Sequence, residues 1–265
     1  MKKNKEIINI AWTFLCLLVL ALLFFLLYIW VFISIEFLHP HELKQWLLND
    51  PDNYYSTFFE KDLQVRNSEN TETYKKTIEN SVSYPMLLQK CKLYWAVFEC
   101  NCFFKQQKQQ HGDVIMGCVM EDLISLPWTF GIIENNQYEG GLPHTRNHVI
   151  ILQSNIIDAH SHAELSALCI HEKIHVYQKM YPHETQVYID EHYEKVKKRE
   201  EQDNIRANPD IDEWIYMDKT TGEILITIYR ENAKKIIDVV DGNQMREHPM
   251  EKMAVEFEKQ YSGGK

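Results

Sequence analysis

Between Ile7 and Ile35 the chain carries no charged residue. Such a run is longer than the ~20 residues a helix needs to cross a bilayer. It also exceeds the ~7–15 apolar residues of a cleaved signal. No small-residue cleavage site follows it; the run passes straight into Glu36, Phe37 and Leu38. The expectation is a transmembrane signal anchor over residues 7–35, preceded by a short cytosolic N-terminus of residues 1–6. Lys2, Lys3 and Lys5 stand before the run, and Glu36, His39 and Glu42 after it. The positive-inside bias then orients the chain as a single-pass membrane protein, N-terminus cytosolic and remainder lumenal or extracellular. Tyr28 and Trp30 suit the exit interface.

The remainder is long enough for one medium domain with a sizeable core. A formal net charge of −10 without a long basic run excludes nucleic-acid binding as the main task, because phosphate contacts need clustered Lys and Arg. Residues 36–84 are polar and read as a helical stalk. Residues 85–260 read as the folded domain. Outside the apolar run stand five cysteines, Cys91, Cys100, Cys102, Cys118 and Cys169. Five is odd, so at least one stays free, and an oxidising compartment would allow one or two disulfides among Cys91 to Cys118.

Within the domain, Met86, Leu87, Leu88, Cys91, Tyr94, Trp95 and Phe98 recur at helical spacing. From Trp128 the period changes. "WTFGII" and "HVIIL" read as strands, with turn signals at Asn135-Asn136 and Gly140-Gly141 between them. Two helices are predicted near 161–180 and 183–204, a hairpin over 213–230 turning near Thr221-Gly222, and a last helix from Pro249. Antiparallel strand pairs with helices between and after them make an α+β domain.

The stretch "LCIHEKIHVYQKMYP" (168–182) carries the chemistry. Ser161 and Glu164 fit a capping box at its helix start, and Pro182 closes it. His171 and His175 lie one turn apart and project from the same face, so both imidazoles can reach one zinc ion. Glu172 is offset by ~100° and can take a proton from a water at the metal. The apolar residues around these three put them in a helix interior, where imidazoles and a carboxylate without such a purpose would be costly to desolvate.

A catalytic zinc site needs a third protein ligand. Gln178 and Tyr181 occupy the positions that a metzincin fills with Gly and His. The segment "EHPMEKMAVEFEKQ" (247–260) offers Glu251 instead, on a helix with Pro249 at its first position and small Ala254 one turn on. The pair "HEKIHVYQ" and "HPMEKMA" resembles a broad group of predicted zincin peptidases of bacteria and large DNA viruses that read HExxHxxQ and then [NH]P-x-E-x-x-A. The resemblance covers roughly residues 128–258. It implies a gluzincin-like arrangement: zinc on His171, His175 and Glu251, Glu172 as general base, and a zincin-like fold with the zinc helix against a small sheet. Glu191, Glu194, Glu247 and His183 remain rival third ligands.

"GGLPHTRNHVIIL" (140–152) reads as the strand that would pair with an extended peptide. His144, at its mouth, is the candidate donor to a developing oxyanion, with Tyr177 and Tyr181 as alternatives. The expected function is a membrane-anchored zinc metalloprotease acting on a peptide or protein substrate. The alternatives are a membrane-tethered interaction module of the same fold without hydrolytic activity, and a zinc hydrolase acting on a non-peptide amide or ester.

Overall fold

The computed structural model describes residues 12–20, 34–240 and 247–263. The chain divides into two compact units, Met1–Ile35 and Glu36–Lys265. In the first, residues 12–20 are helical (α1). The expected transmembrane anchor is not upheld. No helix among the described residues is long and apolar enough to cross a membrane. The rest of 7–35, residues 7–11 and 21–33, lies outside the described residues, apart from residues 34 and 35. The fold class is therefore corrected from an α+β domain behind a membrane helix to a mixed α/β chain without a described membrane span. The single-pass localisation falls with it.

The second unit starts with β1 (Ile35–Phe37), α2 (Pro40–Leu48), α3 (Glu60–Val65), α4 (Thr71–Glu79) and β2 (Val82–Ser83). The long helix α5 (Leu87–His111) follows, then β3 (Val114–Ile115), β4 (Cys118–Val119) and α6 (Met120–Ser125). Next come β5 (Trp128–Ile133), β6 (His144–Arg146), β7 (Val149–Gln153) and α7 (Ser154–Ala159). The last part holds α8 (His162–Met180), α9 (Pro182–His192), β8 (Tyr193–Lys198), β9 (Trp214–Asp218), β10 (Ile224–Leu225) and α10 (Pro249–Gly263).

The main sheet runs β1-β5-β7-β6, with β2 also on β5. Every residue of β5 and β7 is buried, and the two strands are parallel, Thr129 opposite Val149 and Ile133 opposite Gln153. The sheet is thus mixed, and this one pair departs from the antiparallel pairing expected. Both strands are near-continuous apolar runs, the pattern of a strand covered on both faces. The connection of residues 134–148 reverses the chain and lays β6 antiparallel on β7 before β7 begins.

Residues 36–84 are part of this unit and not a stalk. Leu43, Leu47, Tyr55, Tyr74 and Ile78 pack with Ile133, Tyr138, Val149 and Ile151 in one core cluster. Each such fully buried aliphatic side chain contributes ~1.5–3 kcal/mol. Gly131 lets α2 lie close on the sheet: a Cβ there would come within 2.6 Å of Leu43 Cδ1 and 2.7 Å of Ile151 Cδ1. The opposite sheet face meets α8, which touches β6 and β7 and is flanked by α5 and α10.

The helix expected over 183–204 ends at His192. Tyr193–Lys198 instead pairs antiparallel with β9, so the backbone hydrogen bonds offered by β9 outweigh the helix propensity of a Glu- and Lys-rich stretch. The expected hairpin is present as β9 and β10, with Gly222 at φ 72. All six cysteines are free, so no disulfide links Cys91 to Cys118.

Candidate metal centre

The helix α8 is set at its start by a reciprocal cap. Ser161 Oγ accepts from Glu164 N at 3.3 Å, and Glu164 Oε2 accepts from Ser161 N at 2.8 Å. Lys173 anchors the middle: its buried ammonium donates to the carbonyls of Leu126 (2.7 Å) and Pro127 (2.9 Å) and lies 4.4 Å from the Trp128 ring centre. Burial lowers its pKa to about 7.

Helical periodicity then brings His171 and His175 together, ring centres 4.8 Å apart. Each Nδ1 is committed as a donor. That of His175 donates to Gln178 Oε1 at 2.8 Å, and that of His171 to Glu258 Oε2 at 3.1 Å. In a neutral ring of that tautomer Nε2 is the atom left to bind a metal, and the two Nε2 atoms face each other 3.1 Å apart.

The helix α10 brings the third atom. His248 caps its start: Met250 N donates to His248 Nδ1, and His248 Nε2 donates to Asp212 Oδ1, each at 3.2 Å. An imidazole nitrogen here accepts as an Asn carbonyl oxygen would, a physical reason why His and Asn can share this place before Pro249. Gln178 Nε2 donates to Met250 O at 2.9 Å and ties α8 to the same turn. Ala254 is fully buried and small enough for the two helices to approach. Glu251 Oε1 accepts from Asn208 Nδ2 at 2.5 Å. Its Oε2 lies 3.4 Å from His171 Nε2 and 3.5 Å from His175 Nε2.

Three potential ligand atoms thus form a triangle of 3.1, 3.4 and 3.5 Å. Zinc bonds of ~2.0–2.1 Å in tetrahedral geometry require ligand atoms ~3.3 Å apart. The donor set fits that metal in chemistry and in spacing. The electrostatics agree. Burial disfavours a charged His171, yet the bonds to Glu251 and Glu258 outweigh it and hold its pKa up at about 11. Burial likewise disfavours an ionised Glu251, but the two imidazoles keep its pKa well below the usual carboxylate range. The pocket stabilises positive charge at this point.

Glu172 is buried beside the triangle. Its Oε2 accepts from the Thr145 hydroxyl at 2.9 Å. Burial first, and the nearby Asp210 charge second, push its pKa up to about 7. Thr145 N donates to Asp210 Oδ1 at 2.5 Å, on the side of β6 away from β7. A cavity of about 160 Å³ opens onto His171, Glu172 and Glu251, walled by Pro143, Arg206 and Asp210.

His144 borders this cavity but does not present a donor to it. Alternation along β6 turns Thr145 to the α8 face and His144 to the other. His144 Nδ1 donates to Leu142 O at 2.9 Å, and Nε2 lies 3.3 Å from the Tyr138 hydroxyl. Burial lowers its pKa, so the ring is neutral with no N–H to spare. The oxyanion role read for His144 has no donor aimed at the cavity to rest on in this arrangement. Of its alternatives, the Tyr177 hydroxyl accepts from Val119 N at 2.8 Å, and Tyr181 stacks on the Tyr177 ring. Among the rival ligands, His183, Glu191 and Glu194 are exposed, and Glu247 stands outside the triangle.

Three residues of the site were absent from the sequence reading, Glu258, Asn208 and Thr145, and Gln178 entered it only as a position of the HExxHxxQ pattern. Gln178 follows His175 by three positions and Glu258 follows Glu251 by seven, so helical spacing held that signal. Asn208 and Thr145 reach the site only through the tertiary fold. The chain matches no protein-family model, no curated protein and no solved structure.

Proposed function

We propose that this chain is a zinc-dependent metallopeptidase with His171, His175 and Glu251 as ligands and Glu172 as general base. The observation that carries the reading is the triangle of three potential ligand atoms at tetrahedral-zinc spacing, with a buried carboxylate beside it. A zinc ion held there supplies Lewis acidity, which polarises a carbonyl and lowers the pKa of a water.

The chain's own groups do the rest. Gln178 and Glu258 fix the imidazole tautomers so that both Nε2 lone pairs point inward. Asn208 holds one oxygen of Glu251 and leaves the other for the ligand position. Thr145 donates to one oxygen of Glu172 and so orients the carboxylate. With a pKa near 7, Glu172 can accept a proton from the attacking water and return it to the leaving amine at neutral pH. An intact, oriented general base favours hydrolysis over a tether or binding role, which has no use for one.

Glu172→Gln tests this. The amide keeps the hydrogen bond from Thr145 but cannot accept the proton. Hydrolysis of a mixed peptide library is expected to fall by ~10²–10⁴ with zinc content unchanged. A variant that cleaves as fast as the parent would make Glu172 structural.

A further inference from the structure

Arg206, which is partly buried, stands apart from the buried Arg66, Arg146 and Arg199. Arg66 donates to Glu139, Arg146 to Asp50 and Asp52, and Arg199 to Asp62 and Glu213. Arg206 Nε is buried with no hydrogen-bond partner. Glu247 is near enough to feel its charge, but no ion pair joins the two. A buried N–H left without a partner is costly, and a guanidinium carries five donors to satisfy.

The backbone under it is fixed. Arg206 N donates to Thr227 O at 2.8 Å, and Ile205 bridges to Ile228. The next residue is held at both ends, Ala207 N on Asp62 Oδ1 (3.1 Å) and Ala207 O on Arg66 Nη2 (3.1 Å). The lack of a partner is therefore not the mark of a loose loop.

The side chain borders the cavity onto which His171, Glu172 and Glu251 open. That cavity has several times the ~10–15 Å³ that one water requires, so a small anionic group fits beside the triangle. Most of the other charges there are carboxylates: Glu139 is neutralised by Arg66, and Glu172, Asp210 and Glu251 remain. A rigidly based guanidinium in such a place matches a planar, bidentate acceptor.

We infer that Arg206 is a specificity-determining residue that binds a carboxylate of the substrate next to the bond to be cut. The carboxylate belongs either to an acidic side chain or to the free C-terminus of a peptide. The inference rests on the hydrolase reading for the word "substrate" only; the carboxylate site is testable without turnover.

The test is binding of two matched probe pairs to the full chain, with and without zinc, by calorimetry. Acetyl-glutamate amide against acetyl-glutamine amide reports a side-chain acid. Acetyl-alanine against its amide reports a chain end. The expected result is at least tenfold tighter binding of the acid in one pair, in at least one metal state, and loss of that preference in Arg206→Gln. Arg206→Lys keeps the charge without the fork and is expected to retain only part of the preference. Melting curves of both variants check that they fold; if Arg206→Gln does not, loss of at least half the preference in Arg206→Lys supports the site, and full retention overturns it. An acid preference that survives Arg206→Gln, as it would if the metal alone held the carboxylate, overturns the inference, and so does no acid preference in either pair. Absence of peptide cleavage would sink the hydrolase reading and leave the binding result standing.

Discussion

Glu139 is the residue whose removal the structure lets us price most closely. Its carboxylate is buried and accepts from Arg66 Nε and Nη2 at 2.9 Å each, from the Tyr74 hydroxyl at 2.6 Å and from the Tyr54 hydroxyl at 2.9 Å. Burial alone would raise its pKa. The charge and hydrogen bonds of Arg66 more than reverse that and hold it at about 2, against an ordinary 4.5. A gap of that size corresponds to about 3 kcal/mol of folding stability. Because the folded pKa is the lower one, this contribution is complete above about pH 4.5 and is lost as pH falls toward 2. Glu139→Gln mimics the protonated acid and leaves Arg66 without its main counter-charge. The variant is expected to be about 3 kcal/mol less stable than the parent at pH 7 in urea denaturation, the gap narrowing below pH 4.5 and nearly closed by pH 2. Arg66 also holds Ala207 O, next to Arg206 and Asn208, so the loss should loosen the cavity wall as well. Equal midpoints at pH 7, or a gap unchanged down to pH 3, would refute the reasoning.

Gln178→Leu removes the acceptor of His175 Nδ1 and the tie to Met250, and zinc affinity is expected to fall by ~10–100-fold in a competition titration. Asn208→Ala frees one oxygen of Glu251 and is expected to weaken zinc in the same assay, by less, since the carboxylate keeps both imidazole neighbours. His144→Gln is expected to lower the melting temperature while kcat stays within tenfold of the parent, because the ring bonds Leu142 and Tyr138 and offers no donor to the cavity; a hundredfold fall in kcat with stability intact would support an oxyanion role instead.

What could be read from the chain was what local signals specify. The start of α8 is written in Ser161 and Glu164, its end in Pro182, and the start of α10 in Pro249. The same-face placement of His171 and His175 follows from helical geometry alone. What could not be read depends on partners distant in sequence. The parallel pairing of β5 and β7 is set by how residues 134–148 reverse the chain, and no residue in either strand states it. Tyr193–Lys198 looks helical until β9 offers it a ladder. Residues 36–84 are polar on average, yet Leu43, Leu47, Tyr74 and Ile78 recur closely enough to bury one face of each helix. His144 was singled out by its position beside a strand, and the alternation of β6 gives the contact with Glu172 to its neighbour Thr145. The anchor at 7–35 was read from hydropathy, and of that run only residues 12–20, 34 and 35 are described.

The account turns on whether one zinc ion binds to the triangle of His171, His175 and Glu251. The direct measurement is zinc stoichiometry and affinity of the full chain, beside His175→Ala, Glu251→Ala and Glu247→Ala. The expected result is one zinc per chain in the parent and in Glu247→Ala, and affinity at least tenfold lower in His175→Ala and Glu251→Ala. A folded parent that takes up no zinc, or a Glu251→Ala variant that binds it as tightly as the parent, would contradict the account.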